Sequence, residues 1–294
     1  MNRLAADYFT DPLCSWSWCN EPLYRRLVWT FGHGLIIHHR MGGLLAARNA
    51  SFADAEFGLS GEDPGQYRLH QEEVCRDHRM PFDGSVWQRH PPLSSHPACI
   101  AVKAAGLQGL DDPYLRRVRE AFFTGCRPVD RVKELVSLAA AVPGMDVERF
   151  AEEVDGPLAR EHFADDLAAT RQPLPGARDV KTEADGSRRY GFPTLIMMND
   201  KGEVAAFDGD STFDDYIKGI ARLDPDLSAA APPDPRAYLE RFRCAATREV
   251  AMACGVDDRS AREELEALKS EGEVAIAPTG TDLPLWCYSR GALP

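Results

Sequence analysis

No apolar run in the sequence approaches the roughly 18 residues needed to cross a bilayer as a helix, which excludes a membrane-spanning helix. The opening residues, MNRLAADYFTDPLCSW, contain no apolar stretch of signal-peptide length before Asp7. Basic charge is scarce: 34 Lys and Arg stand against 46 Asp and Glu, for a net charge of -12. That balance argues against non-specific binding to nucleic acid or anionic membrane. GxGxxG, P-loop, HExxH and Ser/His/Asp signatures are absent, so nucleotide cofactors have no support. The 8 cysteines are scattered without short repeated spacing, which excludes a disulfide scaffold. These absences leave a cytoplasmic protein whose cysteines are mostly buried thiols.

What is present is ordinary globular material. At roughly 150 residues per domain, 294 residues suggest one large domain or two modest ones. Leu4 to Thr10 reads as a strand ended by Asp11-Pro12, with Cys14 two residues on and a short helix through Pro22, Leu23 and Leu27. Leu35 to His38 is a second strand before the Gly42-Gly43 turn, and His33, His38 and His39 fit a partly exposed strand. Residues 49–66 read as loop with short helical pieces. From Pro97 to about 170 the apolar spacing is helical, giving four or so helices without a strand. Arg171 to Arg189 is turn-rich. Thr194 to Met198, a turn at Asn199 to Gly202 and Glu203 to Phe207 form a hairpin, followed by a helix from Phe213.

Residues 224–235, DPDLSAAAPPDP, read as a linker. Beyond it, Tyr238, Leu239 and Phe242 share a helical face, Thr247 caps a second helix, and Ser260 to Lys269 forms a third with Leu265 and Leu268 inward. A short hairpin over Glu273–Ala277 and Leu285–Tyr288 completes a unit that resembles a winged helix. DNA binding is disfavoured, because DRSAREELEALKSEG carries four glutamates where a recognition helix would meet phosphates. A packing or protein-contact role fits better.

Cys14 falls between a strand and a helix, where unpaired amides stabilise a thiolate. Position alone favours an inert buried thiol. Pro193, in Gly191-Phe192-Pro193-Thr194, precedes a strand as either a cis-proline or a plain strand entry. Together, YFTDPLCSWSW, the helical insert and GFPT resemble the DsbA-like branch of the thioredoxin superfamily, including the bacterial FrnE-type oxidoreductases and SpxH-type adaptors. The resemblance covers about 4–222 and implies an α/β fold: a thioredoxin-like sheet interrupted by an all-helical insertion, with a small winged-helix-like domain after it. The corresponding boundaries are 1–223 with the insertion at about 60–172, the linker at 224–235, and 236–294.

The resemblance makes Cys14 the attacking cysteine, places Ser17 at the resolving position and makes Pro193 the cis-proline opposite. Ser17 cannot close an intramolecular disulfide, although its hydroxyl could hydrogen-bond a Cys14 thiolate. Cys19 is a poor substitute: five helical residues turn the side chain by about 500°, or about 140° net. Trp16, Trp18, Phe192, Thr194 and His96 are the expected substrate-binding residues. No metal is expected, since His96 and Cys99 lack a second pair. Three functions follow from the resemblance: thiol-disulfide exchange through Cys14 with a protein disulfide or glutathione as co-substrate, a redox-inert adaptor with a protein partner, or a glutathione-dependent isomerase or transferase. No resident cofactor is implied.

Overall fold

The computed structural model describes residues 4–45, 64–183 and 186–289. The chain opens with strand β1 (Leu4–Thr10), two consecutive helices α1 (Ser15–Cys19) and α2 (Glu21–Phe31), and strand β2 (Leu35–Met41), which runs parallel to β1. Alternation along β1 sends Leu4, Ala6 and Tyr8 into a core beneath α2, where Leu23, Tyr24, Leu27 and Phe31 meet them. The opposite face carries Phe9, which packs with Cys14, Leu44, Tyr190 and Phe192.

Among the described residues seven helices follow: α3 (Pro64–Asp77), α4 (Val86–Arg89), α5 (His96–Gly106), α6 (Asp111–Phe123), α7 (Val132–Ala139), α8 (Val147–Asp155) and α9 (Pro157–Thr170). Between Pro97 and residue 170 there are thus five helices, and Asp146 caps α8 by accepting from the Arg149 amide. The small-residue face of α5 is fully buried at Ala98, Ala101, Ala104 and Ala105, which brings α6 and α9 close against it. The turn-rich stretch after α9 contains a small antiparallel pair, β3 (Val180–Thr182) and β4 (Arg188–Tyr190), that three-residue strands do not announce in sequence. Most of the 49–66 loop lies outside the described residues, but its last residues begin α3.

The chain returns to the main sheet through β5 (Thr194–Met198) and β6 (Val204–Phe207), then α10 (Phe213–Leu223). The sheet order is β2-β1-β5-β6, with β5 antiparallel to both neighbours. This is a thioredoxin-like sheet interrupted by helices. Its register matters for chemistry: Phe9 pairs with Thr194, so the end of β1 leading to Cys14 meets the start of β5 just after Pro193.

The C-terminal unit comprises α11 (Pro235–Phe242), β7 (Cys244–Ala246), α12 (Thr247–Cys254), α13 (Asp258–Ser270), β8 (Val274–Ala277) and β9 (Leu285–Tyr288). The expected two-stranded hairpin has a third strand: the sheet order is β7-β9-β8. Two further expectations are corrected. Cys244 and Cys287, opposite each other on β7 and β9, are joined as a disulfide rather than being separate thiols. Thr247 does not cap α12; the N-cap is Ala246, and the Thr247 hydroxyl accepts from the Trp286 indole.

The 224–235 segment is tied down along α2. The Ala230 amide donates to the Thr30 carbonyl, and the Trp29 indole donates to the Ala231 carbonyl. Beneath it, α12 packs on α2, and Arg25 and Arg241 lie over the Phe242 ring. A buried ionic cluster joins all three parts of the chain. Arg116 of α6 bonds Glu21 of α2 at 3.0 Å, Glu120 of its own helix at 2.8 Å and Glu249 of α12 at 2.7 Å. Arg25 adds a 3.0 Å bond to Glu21, and Arg119 reaches both Glu21 and Thr10. Burial alone would raise the Glu21 carboxyl, but Arg25, Arg119 and Arg116 outweigh it and hold the group down to about 2.

His39 also corrects a surface reading. It is buried at 3% exposure, held between Asp111 and Asp112 at the start of α6. Burial opposes its charge, but hydrogen bonds to the two aspartates prevail and raise its pKa to about 9. No helix among the described residues is long and apolar enough to cross a membrane.

Candidate thiol site

Cys14 is the N-cap of α1. Its backbone is extended, and its side chain occupies the place where Ser, Thr or Asp usually satisfies an exposed helix amide. The Ser17 amide donates to the Cys14 sulfur at 3.4 Å. On the other side, the Cys14 thiol reaches the Phe192 carbonyl at 3.7 Å, and the Phe192-Pro193 peptide bond is cis. The amide donor and the open helix end favour negative charge on sulfur.

The loop before Cys14 is fixed by a residue the sequence offered only as the end of a strand. Asp11, fully buried, accepts from the amides of Leu13 and Leu44 and from the Ser95 hydroxyl, at 2.8–2.9 Å. Cys99 also points its thiol at this carboxylate, at 3.4 Å. One carboxylate therefore locks the Cys14 loop, the segment after β2 and the start of α5 to one another. An Asp-Pro pair just ahead of the cysteine was the available signal, but turns use the same dipeptide.

Cys14 opens onto a cavity of about 400 Å³ walled by Trp16, Leu44, His70 and Phe192, with Lys181 and three aspartates (Asp179, Asp208 and Asp210) around it. Trp16 is 37% exposed and meets His78 edge-on. The Phe192 ring lies so close over Gly42 that a Cβ there would collide with it, and Arg189 stacks on the same ring.

Four expected site residues are placed differently. Trp18 is fully buried; it stacks on Phe123, lies under Arg116 and donates to the Pro81 carbonyl, so it is core rather than groove. The buried Ser17 hydroxyl makes no hydrogen bond; the Ser17 group that meets Cys14 is its amide. Thr194 is buried and donates to the Gly191 carbonyl, closing the turn into β5 away from the Cys14 cavity. His96 does not lie over the sulfur: it packs edge-on against Phe163 beside Gly43, and burial lowers its pKa. Among the described residues, no group of three or more His, Cys, Asp or Glu side chains is arranged to hold a metal.

Cys19, at the end of α1, has a thiol neighbour of its own. Its sulfur lies 3.5 Å from that of Cys75 on α3. Both are buried, and burial followed by the neighbouring Cys75 pushes the Cys19 thiol well above its usual value. Nothing in the spacing of 19 and 75 foretold this pairing.

A cysteine capping a helix after the first strand, set against a cis-proline before an antiparallel strand, defines a thioredoxin-fold thiol site of the DsbA-like kind. A family model described as thioredoxin matches residues 8–173, and the chain belongs to that family. Among characterised relatives, the ClpXP adapter protein SpxH of Shouchella clausii is 25% identical over 279 residues, covering 92% of this chain and 84% of its own. SpxH of Bacillus subtilis is 24% identical over 274 residues, covering 91% and 83%. Among solved structures, the cytosolic disulfide reductase DsbM from Pseudomonas aeruginosa is 25% identical with a TM-score of 0.55, over 74% of this chain and 99% of that one. A putative protein disulfide isomerase from Nitrosomonas europaea matches in fold with a TM-score of 0.58 at 19% identity, over 75% and 97%.

Proposed function

We propose that this protein is a cytoplasmic thiol-disulfide oxidoreductase working through one attacking thiol, Cys14, with glutathione as the second thiol. The observation that carries the reading is the Ser17 amide pointed at the Cys14 sulfur, at the mouth of a cavity and across from the Phe192 carbonyl. The Phe192 carbonyl holds the neutral thiol and the Ser17 amide supports the thiolate, so the reading requires the amide to outweigh the carbonyl bond that deprotonation gives up. The thiolate attacks one sulfur of a glutathione mixed disulfide. A Cys14–glutathione bond forms, the original S–S bond breaks, and the departing thiolate takes a proton. A second glutathione thiolate attacks the glutathione sulfur of the adduct, releasing oxidised glutathione and the Cys14 thiolate. Ser17 cannot perform that second step, which is why the reaction needs an external thiol.

The measurement is the rate of Cys14 alkylation against pH in the full chain, with Cys14→Ser as background. A midpoint below about 7 is expected; one at about 8.5 or above overturns the reading. The same Cys14→Ser variant is expected to lose all glutathione-dependent disulfide reduction.

A second reading, presentation of a protein partner as an adaptor, is favoured by one separate observation. The SpxH relatives align through the C-terminal unit as well as the thioredoxin part, and Arg116 clamps the two together here. Under that reading the cavity flanked by Trp16 and Phe192 receives a peptide, and Cys14→Ala leaves partner binding intact.

A further inference from the structure

We infer that Cys19 and Cys75 are a second thiol pair, which a small peroxide converts to an internal disulfide that fixes one wall of the Cys14 cavity. The proposal deepens the Cys14 reading but stands on separate atoms. The two sulfurs are 3.5 Å apart and belong to the same buried apolar core as Trp18, Val74 and Met80. Closing them to a bonding distance of about 2.05 Å requires a movement of about 1.5 Å, within the reach of side-chain rotation. With Cys75 1% exposed and Cys19 6% exposed, bulky disulfides are shut out, whereas hydrogen peroxide is hardly larger than water.

The chemistry balances as follows. The Cys19 thiolate, the more exposed of the two once deprotonated, attacks one peroxide oxygen. The O–O bond breaks, hydroxide leaves and is protonated to water, and Cys19 becomes a sulfenic acid. The Cys75 thiolate then attacks that sulfur, the S–O bond breaks and a second water departs. Two thiols have lost two electrons and two protons, and one peroxide has been reduced to two waters. The high cost of ionising Cys19 makes the first step slow at neutral pH and faster in alkali.

The position of the pair gives the bond its effect. Cys19 ends the helix whose N-cap is Cys14, while Cys75 lies on α3, which also contributes His70 to the cavity wall. A covalent link between α1 and α3 holds that wall in place. Reduction returns α3 to its noncovalent contacts, which include the hydrogen bond from the Trp87 indole to Gln71.

The test uses full-length Cys14→Ser protein, so its outcome does not depend on Cys14 reactivity. The protein is treated with hydrogen peroxide, blocked with an alkylating reagent under denaturing conditions, digested without reduction and mapped by mass spectrometry. The expected result is a cross-linked peptide joining 19 to 75, lighter by two hydrogens than the sum of the two, with loss of alkylation at both residues. Cys75→Ser should abolish the cross-link and leave Cys19 oxidised to sulfinic acid or alkylated. Alkylation of both cysteines after peroxide, or sulfinic acid at Cys19 without a cross-link while Cys75 is intact, overturns the proposal. Failure of the Cys14 reading would show instead as an ordinary alkylation midpoint in wild type, whatever the state of the pair.

Discussion

Cys14 caps α1 and Glu21 opens α2 seven residues later, and they are treated in opposite ways. The Cys14 sulfur meets the Ser17 amide and the Phe192 carbonyl and borders a cavity. Glu21 is surrounded by Arg25, Arg116 and Arg119, which meet its charge from several sides. A group kept for reaction needs a partner that favours its reactive form and space for a second molecule. A charge kept for architecture needs its partners complete, because an unmet buried charge costs several kcal/mol. Proximity in sequence therefore says little about shared purpose.

The largest effect is expected where the architectural site is broken. Arg116→Met leaves Glu21 and Glu249 short of a counter-charge and should lower stability by about 3–5 kcal/mol in urea unfolding. The pH midpoint of Cys14 alkylation should stay put in the same variant. If it shifts with the stability, the two sites are not independent and the comparison fails.

A smaller effect is expected from pH at the β2–α6 junction. His39 is raised from an ordinary 6.5 to about 9 by its hydrogen bonds to Asp111 and Asp112 against the pull of burial. A group raised in the folded state contributes fully below its unfolded pKa, so stability should hold at pH 6.5 and fall as pH rises through about 9. At about 1.4 kcal/mol per pKa unit the loss is on the order of 3 kcal/mol. Asp112 works in the other direction: its depressed pKa adds stability above the usual 3.8, which is lost in acid. The alkaline loss should disappear in His39→Gln, as read by unfolding at several pH values.

The smallest effect on stability, and the sharpest on chemistry, belongs to Ser17→Cys. The Ser17 hydroxyl is buried without a hydrogen bond, so a thiol there should change stability by less than about 1 kcal/mol. The Cys14–glutathione adduct should then resolve without a second glutathione, visible as its failure to accumulate in mass spectra. An adduct that persists in this variant would show that the loop does not bring position 17 within reach of the Cys14 sulfur.

Local signals were readable in the sequence and partnerships were not. The strand-favouring run from Leu4 to Thr10, ended by Asp11-Pro12, and the helical spacing of α5 to α9 outlined the first strand and the inserted helices. The strand-then-cysteine pattern and Gly-Phe-Pro-Thr pointed to Cys14 and Phe192, both of which line the cavity. Trp18 was misplaced because Trp16 and Trp18 look alike until the packing of α1 on Phe123 sends one inward. His39 was misread for the same reason: its aspartates come from α6, 72 positions away. Arg116, Glu21 and Glu249 carried no signal as a cluster, since periodicity does not reveal that a polar face meets another polar face indoors. The Cys19–Cys75 and Cys244–Cys287 pairs depend wholly on which helices and strands are neighbours.

The fastening of residues 224–235 along α2 changes what that stretch is for. A peptide bond there does little that the Thr30 and Ala231 contacts and the Arg116 cluster do not already do. Cut with a protease in that stretch, the protein would remain a single particle made of two chains. Cut with a stop codon at the same place, it would expose the outer flank of α2 and strand Arg116 against water. The C-terminal unit is in effect a subunit delivered on the same message as its partner.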